Sequence, residues 1–122
     1  MDVTLEVLHR IADAFARHDV EGIVGSFAAD GEFRNARGPD VWGQSYKGHA
    51  AIRSYFTPLF AQSSDVKWTH TSEFIHGNRA VTEWHRTATL AGGERQEWLG
   101  CDLYTFRDGL IAMKDTYIKV VG

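Results

Sequence analysis

The sequence predicts an α+β fold, helices first and a curved antiparallel sheet after them, on three observations. Up to about residue 62, apolar residues recur at three- and four-residue steps, the spacing of one helix face. From Asp65 onward they alternate with polar ones, the period of a strand. The pairs Gly77-Asn78, Gly92-Gly93 and Asp108-Gly109 divide that second half, and such pairs supply the positive φ of tight hairpins.

Between Thr4 and Arg17, the residues Leu5, Leu8, Ile11, Ala12 and Phe15 form one helical stripe, with Asp2 or Thr4 as its cap. Asp19 caps a second, shorter helix in which Val20, Ile23, Val24 and Phe27 repeat the spacing. A short strand over Glu32 to Ala36 follows. Gly38, Pro39, Asp40 and Gly43 then break any period. The loop from Ala36 to Lys47 carries Trp42 and is long for so small a domain, so it reads either as a lid over a pocket or as a mobile connection. A third helix is expected from about Gly48 to Gln62, with Ile52, Tyr55, Phe56, Leu59 and Phe60 on one face. Pro58 removes a backbone donor and is expected to kink or break it. Four strands then make a meander. Their right-handed twist curves the sheet, Gly100 invites a bend or bulge, and the helices are expected on the concave side.

At 122 residues the chain suits one domain, spanning 1–122, with a core that needs no metal or disulfide. A net charge of -3 offers no attraction to phosphate backbones, so nucleic acid is not an expected partner. Cys101 is the lone cysteine, and no apolar run approaches the roughly 20 residues that cross a bilayer. No membrane partner is expected. Met1 to Arg10 lacks the continuous apolar stretch of a signal peptide, so a cytoplasmic location is expected. None of the six histidines forms a pair with the spacing of a helical zinc site, so neither metal nor cofactor is expected.

Alternation sorts the third long strand into two faces: Trp98, Gly100, Asp102, Tyr104 and Phe106 on one, Glu97, Leu99, Cys101, Leu103 and Thr105 on the other. Both carry large apolar groups. The second face is therefore expected to be covered as well, most simply by a second copy of the chain in a homodimer. A two-residue loop at Asp108-Gly109 pairs Arg107 with Leu110, and counting outward sets Asp102 opposite Asp115. Two facing carboxylates repel, so one holds its proton more tightly. With the faces kept together across Gly92-Gly93, Trp84 joins the same side and Arg86 comes within diagonal reach of Asp102. The functional reading is a proton-transfer site. The structural one is a buried ion-pair network filling space. Trp42, Trp68, Trp84 and Trp98 are candidate pocket walls, although packing is the commoner use of tryptophan. His70 is either an acid–base group in that pocket or a partly buried structural histidine.

The helical hairpin, the strand Glu32-Phe33-Arg34-Asn35, the segment from Tyr46 to Arg53, and the ending from Gly100 to Ile111 with Lys114-Asp115-Thr116-Tyr117 resemble the SnoaL-like branch of the nuclear transport factor 2-like superfamily. The resemblance covers nearly the whole chain. It implies a cone-shaped α+β barrel, usually a homodimer, as in polyketide cyclases, ketosteroid isomerases and limonene-epoxide hydrolases. It implies Asp115 as general base, on the last-strand segment where cyclases and epoxide hydrolases keep an aspartate. It also implies that Asn35 and Phe33 occupy the first-strand positions where those hydrolases hold the attacking water, with phenylalanine here in place of tyrosine. The second long strand departs from the pattern: Trp84 and Arg86 stand where an arginine and an aspartate are expected. Together these readings predict a small, largely apolar, cyclic or carbonyl-bearing ligand. Asp115, Asp102 and Arg86 would be catalytic, and Tyr117 would be a proton donor or hydrogen-bonding partner.

Overall fold

The computed structural model describes residues 2–120. Its elements in order are α1 (Leu5–Ala16), α2 (Val20–Gly25), β1 (Phe27–Arg34), β2 (Ser45–Lys47), α3 (His49–Gln62), β3 (Lys67–His76), β4 (Arg79–Thr89), β5 (Arg95–Arg107) and β6 (Leu110–Ile118). The strands form one curved, unclosed sheet in the order β2-β1-β6-β5-β4-β3. All neighbours are antiparallel except β1 and β6, which run parallel.

Caps fix where the first two helices start. Thr4 Oγ1 accepts from the Val7 amide, and Asp19 Oδ1 accepts from the Gly22 amide, each satisfying a donor that the helix itself leaves free. The helices lay Leu8, Ile11, Phe15, Ile23, Ile52 and Phe56 on the concave face of the sheet, against Phe27, Phe33, Tyr104, Phe106 and Ile111. Full burial of side chains this size stabilises the fold by about 1.5–3 kcal/mol each. Phe15, Phe33 and Phe56 meet in edge and stacked contacts at 5.3–5.4 Å between ring centres.

Four local expectations need correction. Phe27 opens β1 rather than extending α2, because α2 stops at Gly25; β1 thus starts five residues before the expected Glu32. Within the long loop, Ser45–Lys47 pair with Arg34, Phe33 and Glu32 as β2, which tie the loop to the sheet edge. Pro58 lies inside an unbroken α3, where the helix tolerates the loss of one amide bond. Finally, β5 and β6 do not keep the register that their turn sets. Asp108 and Gly109 have φ of 53° and 78°, and Arg107 pairs with Leu110, as a type I′ turn requires. Phe106 pairs with Ile111, but Thr105 pairs with Met113. Ala112 is the extra residue of a β-bulge, and every β6 side chain beyond it changes face.

Candidate functional site

Because of that bulge, Asp102 stands opposite Thr116, and Asp115 stands opposite Leu103. The expected acid pair does not form. Asp115 lies half-buried on the outer side of the sheet, its Oδ2 3.5 Å from the hydroxyl of Tyr117, whose side chain is exposed. Trp42, also exposed, joins them in a shallow outer groove of about 130 Å³. Sequence order therefore grouped residues that the sheet separates.

Inside, the β4–β5 register keeps its parity throughout, with Trp84 opposite Gly100 and Arg86 opposite Trp98. Gly100 is required here: a Cβ would come within 2.5 Å of the Trp84 ring and of the Tyr117 carbonyl oxygen. With that space open, the indole reaches across Gly100 and its Nε1 donates to Asp102 Oδ2 at 2.9 Å. Asp102 Oδ1 accepts from Thr116 Oγ1 at 2.6 Å and lies 3.2 Å from the Lys114 ammonium. Lys114 also reaches Thr116 Oγ1 at 3.1 Å and rests over the Phe33 ring, 4.5 Å from its centre. Asp102, Lys114, Thr116 and Trp84 are all buried. The cation beside Asp102 is thus Lys114, not Arg86 as expected; a buried charge needs such pairing and hydrogen bonding to persist.

A cavity of about 20 Å³ adjoins this cluster, bounded on its polar side by His70, Thr82, Asp102, Tyr104 and Lys114. That is room for one water molecule. Thr82 Oγ1 is the sole buried side-chain polar atom among the described residues without a hydrogen-bond partner. Burial holds the His70 imidazole below its ordinary pKa, opposed by the charges of Asp102 and Glu73. Burial likewise pushes the Tyr104 hydroxyl well above its own, reinforced by Asp102. At neutral pH both side chains are therefore uncharged. A bulge at Thr71 reverses β3 beyond His70, so Phe74, four residues on, points outward and is exposed.

The main pocket, about 310 Å³, lies between the helices and the sheet. Phe15, Phe33, Phe56, Trp68, Trp84 and Trp98 give it aromatic walls, and Asn35, Tyr55, Gln96, Arg37, Arg86, Lys114 and Thr116 bring polar atoms to it. Arg86 is 6% exposed. Its Nη1 donates to Gln96 Oε1 at 2.7 Å, and its guanidinium carbon lies 4.4 Å from the Trp98 ring centre and 5.6 Å from that of Trp68. Burial lowers its pKa, partly offset by Tyr55, yet a guanidinium stays charged at neutral pH. Arg37, Tyr55, Gln96, Lys114 and Thr116 are polar pocket groups that the sequence did not single out as such. Charge complementarity could have found Lys114, since setting it beside Asp102 avoids two facing acids. Among the described residues, no three His, Cys, Asp or Glu side chains converge as metal ligands, and no helix is long and apolar enough to cross a membrane.

Solved structures of the same shape are numerous. An NTF2-like protein of unknown function from Burkholderia pseudomallei is 16% identical, aligned over 94% of this chain and 89% of that one, with a TM-score of 0.83. TerC, co-crystallized with polyporic acid, is 20% identical over 94% and 90%, with a TM-score of 0.81. A protein of ketosteroid isomerase-like fold from Catenulispora acidiphila, in complex with trimethylamine, is 20% identical over 94% and 86%, also at 0.81. No curated protein matches the chain in sequence. The SnoaL-like domain profile matches residues 8–113, most of the chain, and with the helix-lined curved sheet in view the protein belongs to the SnoaL-like domain family.

Proposed function

We propose that the main pocket binds a small, largely apolar, cyclic molecule and receives its carbonyl oxygen at Arg86. One observation carries this reading: a buried guanidinium beside the Trp98 ring lines an aromatic-walled pocket, and among the described residues only Gln96 hydrogen-bonds it. Such a site combines apolar walls with a few converging polar groups, as ligand pockets do. The small molecules in TerC and in the Catenulispora protein support the use of this fold for binding.

Proton transfer of isomerase, cyclase or hydrolase type is the second reading, and the buried Asp102–Lys114 pair favours it. Lys114 reaches both the carboxylate and the pocket: once its ammonium has passed a proton to Asp102, the neutral amine takes the ligand's α-proton, and Arg86 stabilises the negative charge left on the ligand oxygen. Asp102 takes the role of base in this proposal through Lys114, in place of the outward-facing Asp115. A carrier or sensor needs the same pocket without that chemistry. The outer face, with Leu99 and Tyr117 more than half exposed, is proposed as the contact of a homodimer.

The discriminating experiment follows 2-tetralone in D2O by proton NMR. Its α-hydrogens exchange faster with a catalyst of enolization, whereas a carrier only shifts its resonances. The catalytic reading expects acceleration by the wild type, loss in Asp102→Asn and retention in Asp115→Asn. Binding without acceleration leaves the carrier, and absence of binding removes the pocket assignment.

A further inference from the structure

The charges around the main pocket do not balance. Arg37, Arg86 and Lys114 line it, and no aspartate or glutamate does. Lys114 is neutralised by Asp102 behind the wall. Arg37 is exposed at the mouth, its guanidinium carbon 5.3 Å from the Trp98 ring centre. That leaves Arg86, buried and with no carboxylate in ion-pair contact among the described residues. The chain as a whole carries a net charge of -3, so acids are plentiful elsewhere and excluded from this wall.

Among the described residues a neutral amide, that of Gln96, is the one hydrogen-bonded partner of Arg86, and a buried cation so placed is costly, so proteins normally pair it. The flat faces of Trp98 and Trp68 offset part of that cost through their ring quadrupoles, but they give no hydrogen bond to the remaining in-plane N–H donors of a side chain that lines the pocket. Those donors form a fork that matches two oxygens of one anion. An uncompensated positive centre between apolar walls also focuses the field toward the mouth, where Arg37 adds to it.

Resting on the reading of this cavity as a binding site, we infer that its ligand is a flat conjugated organic anion. A carboxylate or enolate of the ligand pairs with Arg86, and its ring system packs between Trp68, Trp84 and Trp98. The anion supplies the missing countercharge, and the tryptophans recognise the ring. A neutral ketone would fill the same space and gain only a hydrogen bond. A cationic amine would meet the charge of Arg86 inside and of Arg37 at the mouth.

Three probes of matched shape test this: 2-naphthoate, 2-naphthamide and 2-naphthylmethylammonium, titrated calorimetrically with amide NMR shifts locating the site. Naphthoate is expected to bind about tenfold or more tighter than naphthamide, as a charge-assisted pair should, and the ammonium weakest. In Arg86→Gln the acid-to-amide ratio is expected to fall to about one, and in Arg86→Lys to an intermediate value, since lysine keeps charge without the fork. Should Arg86→Gln fail to fold, the wild-type ratio and the lysine variant decide. Naphthamide or the ammonium binding as tightly as naphthoate overturns the anion assignment and leaves the pocket intact. An acid-to-amide ratio that does not move in either variant overturns the role of Arg86. No binding of any probe overturns the pocket reading itself, and this inference with it.

Discussion

Replacing Asp102 by asparagine removes the carboxylate that pairs with Lys114 while keeping the side chain's volume. Both members of the pair expose 7% of their side chains, so solvent cannot take over the lost interaction. The asparagine oxygen can accept from Trp84 Nε1 or Thr116 Oγ1, but its amide group then faces the other donor. Breaking a buried pair from one side costs about 3–5 kcal/mol, and no cavity term is added. Lys114→Met leaves an unpaired carboxylate still held by two donors, at the lower end of that range. The double variant carries no buried charge at this point, so it should be less damaged than the single losses added together, by about 2 kcal/mol or more. Urea unfolding at pH 7, followed by tryptophan fluorescence, measures all three. Asp115→Asn is the companion measurement, with an expected change within about 0.5 kcal/mol because that carboxylate faces outward. If Asp102→Asn proves as mild as Asp115→Asn, or if the two single losses simply add, the buried pair and the bulged register behind it are wrong.

Three further outcomes are expected. The folded His70 imidazole titrates below its unfolded value of about 6.5, so as pH falls the unfolded chain takes up the proton first. The full stability is present above that pH and declines as pH drops toward the folded pKa; His70→Gln should flatten this part of a stability profile between pH 7.5 and 5, and an unchanged profile would contradict the buried neutral imidazole. Gly100→Ala drives a methyl group into the Trp84 ring and the Tyr117 carbonyl, so a loss of about 1–3 kcal/mol is expected from overpacking, read from thermal unfolding, and a neutral result would mean that the indole is not seated across the glycine. Leu99→Asp should convert a wild-type dimer to monomer in sedimentation velocity; a monomeric wild type would dispose of the outer-face contact.

The fold was legible because its signals are local. Three-and-four spacing marks the helices, alternation marks the strands, and a type I′ pair needs only Asp108 and Gly109 in sequence. The inward face of β5 was equally legible, since Trp98, Asp102, Tyr104 and Phe106 alternate without interruption and β4 follows in a single register. The last strand was not. Its bulge falls at Ala112, beside no glycine or proline that would announce it, and a single extra residue exchanges Asp115 and Tyr117 for Lys114 and Thr116 on the inner face. The bulge in β3 does the same to Phe74. Parity carries no error signal of its own: both registers of β6 put two polar residues inward, and only the charges distinguish them.

That distinction governs the chemistry of the whole interior. In the unbulged register, two acids would face each other, and Arg86 would be drawn toward them as their counterion. With the bulge, the lysine at position 114 satisfies Asp102 from the neighbouring strand, at 3.2 Å and with Thr116 bridging. The acid then has no need of Arg86, whose guanidinium is instead turned to Gln96 and the tryptophans. A one-residue irregularity thus moves the unpaired charge from an acid to a base, and the pocket from one that would favour cations to one that favours anions. Inserting the missing compensation should test this directly: Gln96→Glu places a carboxylate where the amide oxygen now lies 2.7 Å from Arg86 Nη1. The expected result is a more stable protein with weakened naphthoate binding, because a built-in counterion competes with the ligand for the same guanidinium. Naphthoate affinity unaffected by Gln96→Glu would mean that the ligand's charge is met elsewhere.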